Sequence, residues 1–303
     1  MRQPRFSIVI ACYNQRHFVQ AAVESAIAQP HPGTEVIAVD DGSRDGTPEV
    51  LDAFGDSIRL VKFAKNQGAI AARNHGSSLA TGEYLVFLDG DDALMPWALQ
   101  VYESLIAAWS PKIILGQRGY FRGEVPRATP EDVPTRIDFV NYSCWLQKDR
   151  AVAVGASTCV LHRKTFWDAG GWSPGIFHLD MPDLLTKVGL SGTTLLIVAP
   201  KTAWYRLHSG NTVNSVPPFL RCARVLLEKE RAGEYPGGRK YLFARSTCLG
   251  GPILYWIRRA VGAGLFLEGM KLAGAAWFTI LAAIVRRSIA LCRGRRSVQS
   301  MEL

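Results

Sequence analysis

The 303-residue chain is 48% hydrophobic and 20% charged, which excludes a disordered polymer and allows one substantial core plus a smaller appendage. Its formal net charge of +9 suggests nucleic-acid binding only until the charge is located. Residues 1–216 carry 20 Lys and Arg against 21 Asp and Glu, whereas residues 217–303 carry 15 against 5, so the whole excess sits in the tail; the front part reads as a near-neutral, enzyme-like domain and no nucleic acid is expected, with nucleic-acid binding by the tail kept as a third option.

From residue 6 to about 115, β-rich apolar runs at 6–11, 36–39, 58–63, 84–88 and 112–115 alternate with helical patterns at 18–28, 48–54, 69–80 and 97–108. That alternation predicts an α/β fold with a mostly parallel sheet covered on both faces. Residues 116–216 are less regular, with a Pro-rich polar stretch at 123–134, expected strands at 153–161, 194–198 and 202–205, and a short helix after Asp180. Two units follow: a front domain over 1–216 and a basic, apolar helical extension over 217–303.

The longest uncharged stretch of the extension, 272–285, has 14 residues, short of the roughly 20 that span a bilayer. Extending it upstream would bury Glu268 and Lys271 at a cost of about 2 to 3 kcal/mol each, although their spacing would let them pair. The expectation is helices lying on a membrane, with the arginines at 258, 259, 286, 287, 293, 295 and 296 reaching anionic head groups and Trp256, Trp277, Phe266 and Phe278 at the apolar boundary. A helical cap packed on the front domain is the alternative. The six cysteines are scattered without a Cys-Xaa-Xaa-Cys pair, and the run 8–11 is too short for a signal-peptide core. A cytoplasmic chain, peripheral on the inner face of a membrane, is therefore expected.

Chemistry concentrates at the ends of the expected strands. Asp89-Gly90-Asp91-Asp92 places three carboxylates after a buried strand, where the carboxyl ends of a parallel sheet face the ligand crevice. Such crowding calls for a hard divalent cation, magnesium or manganese, completed by diphosphate oxygens and water. Asp40-Asp41-Gly42-Ser43 puts acids at another strand end, able to accept from a base N–H or ribose hydroxyls. Tyr13 could stack on a base, and Arg73 sits one turn into a helix that starts at the crevice.

In this order and spacing the set resembles the family 2 glycosyltransferases of GT-A fold over residues 6–97: Tyr13-Asn14, then Asp40 to Ser43, Asn66 and Gly68 with Ala72-Arg73-Asn74, and Gly82-Glu83-Tyr84 before the acidic motif. The resemblance implies that Tyr13, Asp41 and Arg73 contact the nucleotide base of a UDP- or GDP-sugar. It makes Asp91 the main metal ligand, for Mn2+ or Mg2+, with Asp89 and Asp92 near ribose, metal or sugar. Gly170-Gly171-Trp172 looks like the family's sugar- and acceptor-pocket region, and Tyr205-Arg206-Leu207-His208 like its diphosphate contact, through Arg206 and His208. Where inverting members carry their general base, this chain reads Asp180-Met181-Pro182-Asp183-Leu184. Asp180 is the expected base, ahead of Asp183 and His178. The processive synthases' Gln-Xaa-Xaa-Arg-Trp motif is absent, so transfer of a single sugar to a glycan or lipid-linked hydroxyl is expected. The other readings are a non-catalytic sugar-nucleotide-binding protein and a sugar-1-phosphate nucleotidyltransferase.

Overall fold

The computed structural model of the chain describes residues 5–129, 132–149, 152, 154–294 and 296–303. Its first half follows the expected alternation. Strands β1 (Phe6–Cys12), β2 (Thr34–Asp40), β3 (Arg59–Lys62) and β4 (Tyr84–Asp89) are linked by α1 (Val19–Ile27), α2 (Thr47–Asp52) and α3 (Ala69–Leu79). They lie parallel in the order β3-β2-β1-β4. Every residue of β1 is buried, because its alternate side chains feed two cores: Phe6, Ile8 and Ile10 on one face, Val9 and Ala11 on the other. The chain steps outward from β1 to β3 and returns to β1's other side for β4, which opens a crevice at the carboxyl ends of β1 and β4.

The second half departs more from expectation. After β5 (Ala93–Leu94) and α4 (Ala98–Trp109) come β6 (Ile113–Phe121), β7 (Arg136–Tyr142), β8 (Cys159–His162), α5 (Arg163–Asp168), α6 (Asp180–Lys187) and β9 (Thr194–Arg206). The strand expected over 153–161 is confined to β8; Ala156–Thr158 forms a 3-10 turn, and Ala153 lies outside the described residues. The two strands expected at 194–198 and 202–205 are one, β9. It runs parallel to β6 and antiparallel to β7, while β8 bridges β6 and β4 antiparallel, so the sheet is mixed.

The tail forms α7 (Pro217–Ala232), α8 (Leu242–Gly262), α9 (Phe266–Ala275) and α10 (Trp277–Arg293), then a strand, β10 (Gln299–Glu302), that pairs antiparallel with β7. The extension is thus not wholly helical: it ends as an edge strand of the front domain's sheet. Helices α7 to α9 share a third core with Ile176 and Leu179, the residues leading into α6. Trp256, expected at a membrane boundary, is instead buried and stacked on Phe219 with ring centroids 3.4 Å apart. Helices α8 and α10 touch backbone to backbone at Gly250, where a Cβ would collide with the Thr279 carbonyl. Among the described residues no single helix is long and apolar enough to cross a membrane; only α9 and α10 together pass by length and composition, and they are bent by 74°.

Asp183 fastens the tail to the front domain. Fully buried on α6, it accepts hydrogen bonds from Ser173 Oγ at 2.5 Å, Tyr235 Oη at 2.7 Å and Lys229 Nζ at 2.8 Å. Removing a buried anion strands its cationic partners. Asp183→Ala is therefore expected to lower unfolding free energy by about 3 to 5 kcal/mol in urea titrations; an unchanged midpoint would show that the cluster does not hold the two parts together.

Candidate functional site

Two loops form one wall of the crevice. Beyond β1, Tyr13 is 46% exposed, and Asn14 takes a left-handed backbone with φ of 52°. The segment is tied to the β2–α2 loop by the Asn14 amide on Ser43 Oγ at 2.8 Å, the Gln15 amide on Thr47 Oγ1 at 2.8 Å and the Arg16 amide on Asp45 at 3.0 Å. Asp41 is buried and accepts from the amides of Gln67 at 2.7 Å and Gly68 at 2.8 Å. It thereby fixes the loop that starts α3, a role not anticipated from the base contact expected of it.

Arg73 lies at the centre. Only 3% exposed, it donates from Nη2 to Asp89 at 2.5 Å and from Nη1 to Asp180 at 2.6 Å. Its guanidinium carbon lies 5.2 Å from the Trp172 ring centre and 5.8 Å from that of Phe177, faces that attract a desolvated cation. Trp172 does not line an open pocket. Its ring is buried against Phe87 and Phe166, and Asn74 grips its backbone from both sides, donating to the carbonyl and accepting from the amide at 2.9 Å each. Gly171 has φ of 66°, and a Cβ there would press on Asn74 Oδ1, so the paired glycines permit this grip.

The acidic motif is held by separate partners. Asp89 is paired with Arg73. Asp91 Oδ2 lies 2.9 Å from His208 Nε2. Buried Asp92 accepts from Ser157 Oγ at 2.6 Å and from the Arg206 amide at 3.1 Å. Arg206 donates from Nε to the Asp91 carbonyl at 2.9 Å and from Nη1 to the Gly123 carbonyl, with the rings of Phe18 and Phe121 within 5 Å of its guanidinium carbon. These contacts temper the mutual repulsion of the three acids without removing it, since each still raises its neighbours' affinity for protons. Each Asp92 oxygen thus accepts one hydrogen bond from the chain, while Asp91 and His208 have each other as side-chain partners. Among the described residues no three His, Cys, Asp or Glu side chains converge on one point.

Burial raises the Asp92 carboxyl well above its ordinary value, reinforced by Asp91 and Asp89. Burial and Asp89 also raise Asp91, against the pull of His208. Asp180 is raised by burial and drawn back by Arg73. Arg118, on β6, faces Asp89, Asp92, Ser157 and Tyr205 across a pocket of about 20 Å³, and burial beside these carboxylates pushes the Tyr205 phenol up to about 12. A larger cavity of about 1090 Å³, lined by Arg5, His31, Glu83, Glu103, His162 and Trp167 among others, lies at the opposite, amino ends of β1 and β4. There Arg5 already pairs with Glu83 and Glu103.

Of the candidate bases, Asp180 reaches the crevice, at the start of α6. Asp183 is consumed by the tail cluster, and His178 packs against Phe219 with ring centroids 4.8 Å apart. Ser157 was not picked out from the sequence, since a serine in a Gly/Ala/Ser/Thr run carries no signal. It donates to Asp92 and accepts from the Asp89 amide at 3.1 Å. Ser157→Ala is expected to cost about 1 to 3 kcal/mol of stability and to lower activity; a variant matching the wild type in both would deny Ser157 this role. Because Asp92 holds its proton more tightly folded than unfolded, its ionisation opposes folding as pH rises above the unfolded value near 3.9. The Asp92→Asn variant should therefore gain melting temperature relative to wild type with rising pH, and a gap that shrinks would contradict the assigned burial cost.

Known proteins share the sequence pattern and fold of this chain. The profile described as Glycosyl transferase family 2 matches residues 7–170. The UDP-Glc:alpha-D-GlcNAc-diphosphoundecaprenol beta-1,3-glucosyltransferase WfaP of Escherichia coli is 41% identical over 235 residues, covering 73% of this chain and 84% of that protein. Other curated relatives are matched over only 27 to 37% of their own length. Among solved structures, S. aureus TarS 1-349 in complex with UDP-GlcNAc superposes with a TM-score of 0.63 at 15% identity, covering 96% of this chain and 92% of that one. The mannosyltransferase PcManGT of Pyrobaculum calidifontis, in complex with GDP-Man and Mn2+, gives 0.55 at 17%, covering 95% and 88%. With more than half its length matched by the family profile and most of it by WfaP, the chain belongs to glycosyl transferase family 2.

Proposed function

We propose that the chain transfers one sugar from a nucleotide diphosphate donor to a hydroxyl of a glycan or lipid-linked acceptor, with inversion and with the help of a divalent cation. The observation that carries this reading is the joint placement, at one crevice, of the Asp91–His208 pair and of Asp180, tied through Arg73 to Asp89. A carboxylate with an imidazole beside it suits Mn2+ better than Mg2+, whose preferred ligands are all oxygens, and either cation would also take diphosphate oxygens. Asp91 and His208 would hold it, and when bound it would offset the charge that builds on the departing diphosphate.

The chain's own groups do the rest. Tyr13, at the exposed mouth, offers a ring to the nucleotide base, and the loop pinned by Asp41 shapes the wall beside it. Arg206, locked by its carbonyl contacts, places positive charge beside the acidic motif where the leaving diphosphate would lie. Asp180 accepts the acceptor's hydroxyl proton as that oxygen attacks the sugar carbon, and its burial-raised affinity for protons makes it a stronger base than an exposed aspartate. Arg73 keeps it oriented and ionised.

WfaP's name gives a diphosphoundecaprenol-linked acceptor, a lipid. A similar acceptor for this chain fits a tail that meets a membrane from the cytoplasmic side. Nucleotide release from UDP- and GDP-sugars, measured over a Mn2+ titration, tests the assignment. Asp180→Asn should lower kcat by about 10²- to 10⁴-fold with donor KM little changed, and Asp91→Ala should abolish the metal response. An Asp91→Ala enzyme that works as well as wild type in the presence of a chelator would remove the metal role.

A further inference from the structure

Helix α10 is built inside out, and α9 carries a second, outward apolar face beside its buried Leu272. In a water-facing amphipathic helix, large apolar residues face the core. Here the buried positions of α10 are filled by small residues, Thr279, Ala282 and Ala290, while Trp277 (64% exposed), Leu281 and Ile284 point outward at helical spacing. On α9, Phe266, Leu267 and Met270 (68% exposed) do the same. The inner side is already closed by α8, so this outward apolar face is a second face with no covering element among the described residues.

Cations ring it. Arg258, Arg259, Lys271 and Arg287 are exposed, and Arg258, Lys271 and Arg287 have no carboxylate partner among the described residues. Arg286, by contrast, turns inward and donates to the Leu146 carbonyl at 2.6 Å and Thr247 Oγ1 at 2.8 Å, so it is a clamp and not a lipid contact. Arg295 lies outside the described residues. The sole acid of the two helices is Glu268.

We propose that this face is a one-leaflet membrane wedge: the outward side chains of α9 and α10 enter the acyl region of a single leaflet, while the surrounding cations bind anionic head groups. The 74° bend and the covered inner side make it a shallow insertion and not a span. Charge decides against a second copy of the chain as the occupant, because a two-fold contact would press one basic rim onto another, whereas an anionic bilayer complements it. The wedge also places the chemistry. Phe219 of α7 stacks on Trp256 of α8 and touches His178, two residues before Asp180, so the segment carrying the proposed base packs on α7 and α8, against which the proposed membrane-seated helices are themselves packed. This deepens the membrane reading given under the proposed function and rests on it.

Flotation of the full chain with phosphatidylcholine vesicles, with and without phosphatidylglycerol, needs no sugar donor, so it can fail while transfer to a soluble acceptor stands. The wild type should float with the anionic vesicles. The Leu281→Glu/Ile284→Glu variant should float about ten-fold less while keeping the wild-type melting temperature and donor hydrolysis. Arg258→Glu/Arg287→Glu should lose the preference for anionic lipid. A wild type left at the bottom of the gradient overturns the proposal. So does a Leu281→Glu/Ile284→Glu variant that floats normally, or a wild-type dimer in sedimentation that this variant dissolves, which would give the face to a second copy. Should that variant unfold, quenching by brominated acyl chains decides, with quenching lost in Trp277→Phe as the supporting result and quenching equal in both chains as the contrary one.

Discussion

One buried guanidinium organises this molecule's crevice. A charge as sheltered as Arg73 is tolerable only when paired and stacked, and it is both, between Asp89 at the end of β4 and Asp180 at the start of α6, against the faces of Trp172 and Phe177. Without it, the two acids would meet as like charges. The contact joins the end of β4 to the start of α6, and its supports reach outward: Asn74, one residue along α3, holds the Trp172 backbone, and Asp41 holds the loop where α3 begins.

The same physical device is used to opposite ends one helical turn apart. Asp180 and Asp183 are both sheltered acids of α6. Asp183 accepts from Ser173, Tyr235 and Lys229 and fastens the tail. Asp180 has its Oδ2 on Arg73 and its Oδ1 on its neighbour's amide, and it keeps partial contact with the crevice. Likewise, Asp92 is fixed by Ser157 and the Arg206 amide so that Asp91 can be presented with His208. The cost is a set of carboxyls pushed up by burial, the kind of local instability that functional sites carry and structural positions avoid.

The front half was legible in the sequence because its signals are local. The apolar runs, the Asp-Gly turns and the strand-end acids each occupy a few consecutive residues, and β1 to β4 with their helices formed close to where the pattern put them. What escaped depends on partners far along the chain. Ser157 gains its role only when the 3-10 turn before β8 lands beside β4. Trp172 becomes a support for Arg73 only through α3. Strand β7 hides in a polar, Pro-flanked stretch, and β10 is legible only as a partner for β7's free edge. The crowding of Asp89, Asp91 and Asp92 was legible from sequence, but the particular partners, Arg73, His208 and Ser157, that each acid takes lie far along the chain. In the tail, the charge pattern pointed to a membrane, but which aromatics face out was decided by packing: Trp256 went to the core because Phe219 was there to stack on it, and Trp277 was left outside.

The claim on which the rest hangs is that Asp91 and His208 form the protein's half of a metal–diphosphate site. Crystals soaked with Mn2+ and UDP or GDP would test it by anomalous scattering. The account requires a single strong peak at coordination distance, about 2.0 to 2.2 Å, from Asp91 Oδ2 and His208 Nε2, bridged to the nucleotide's phosphates. A nucleotide bound with no peak there, or with the peak on Asp92 or away from β4, would contradict it.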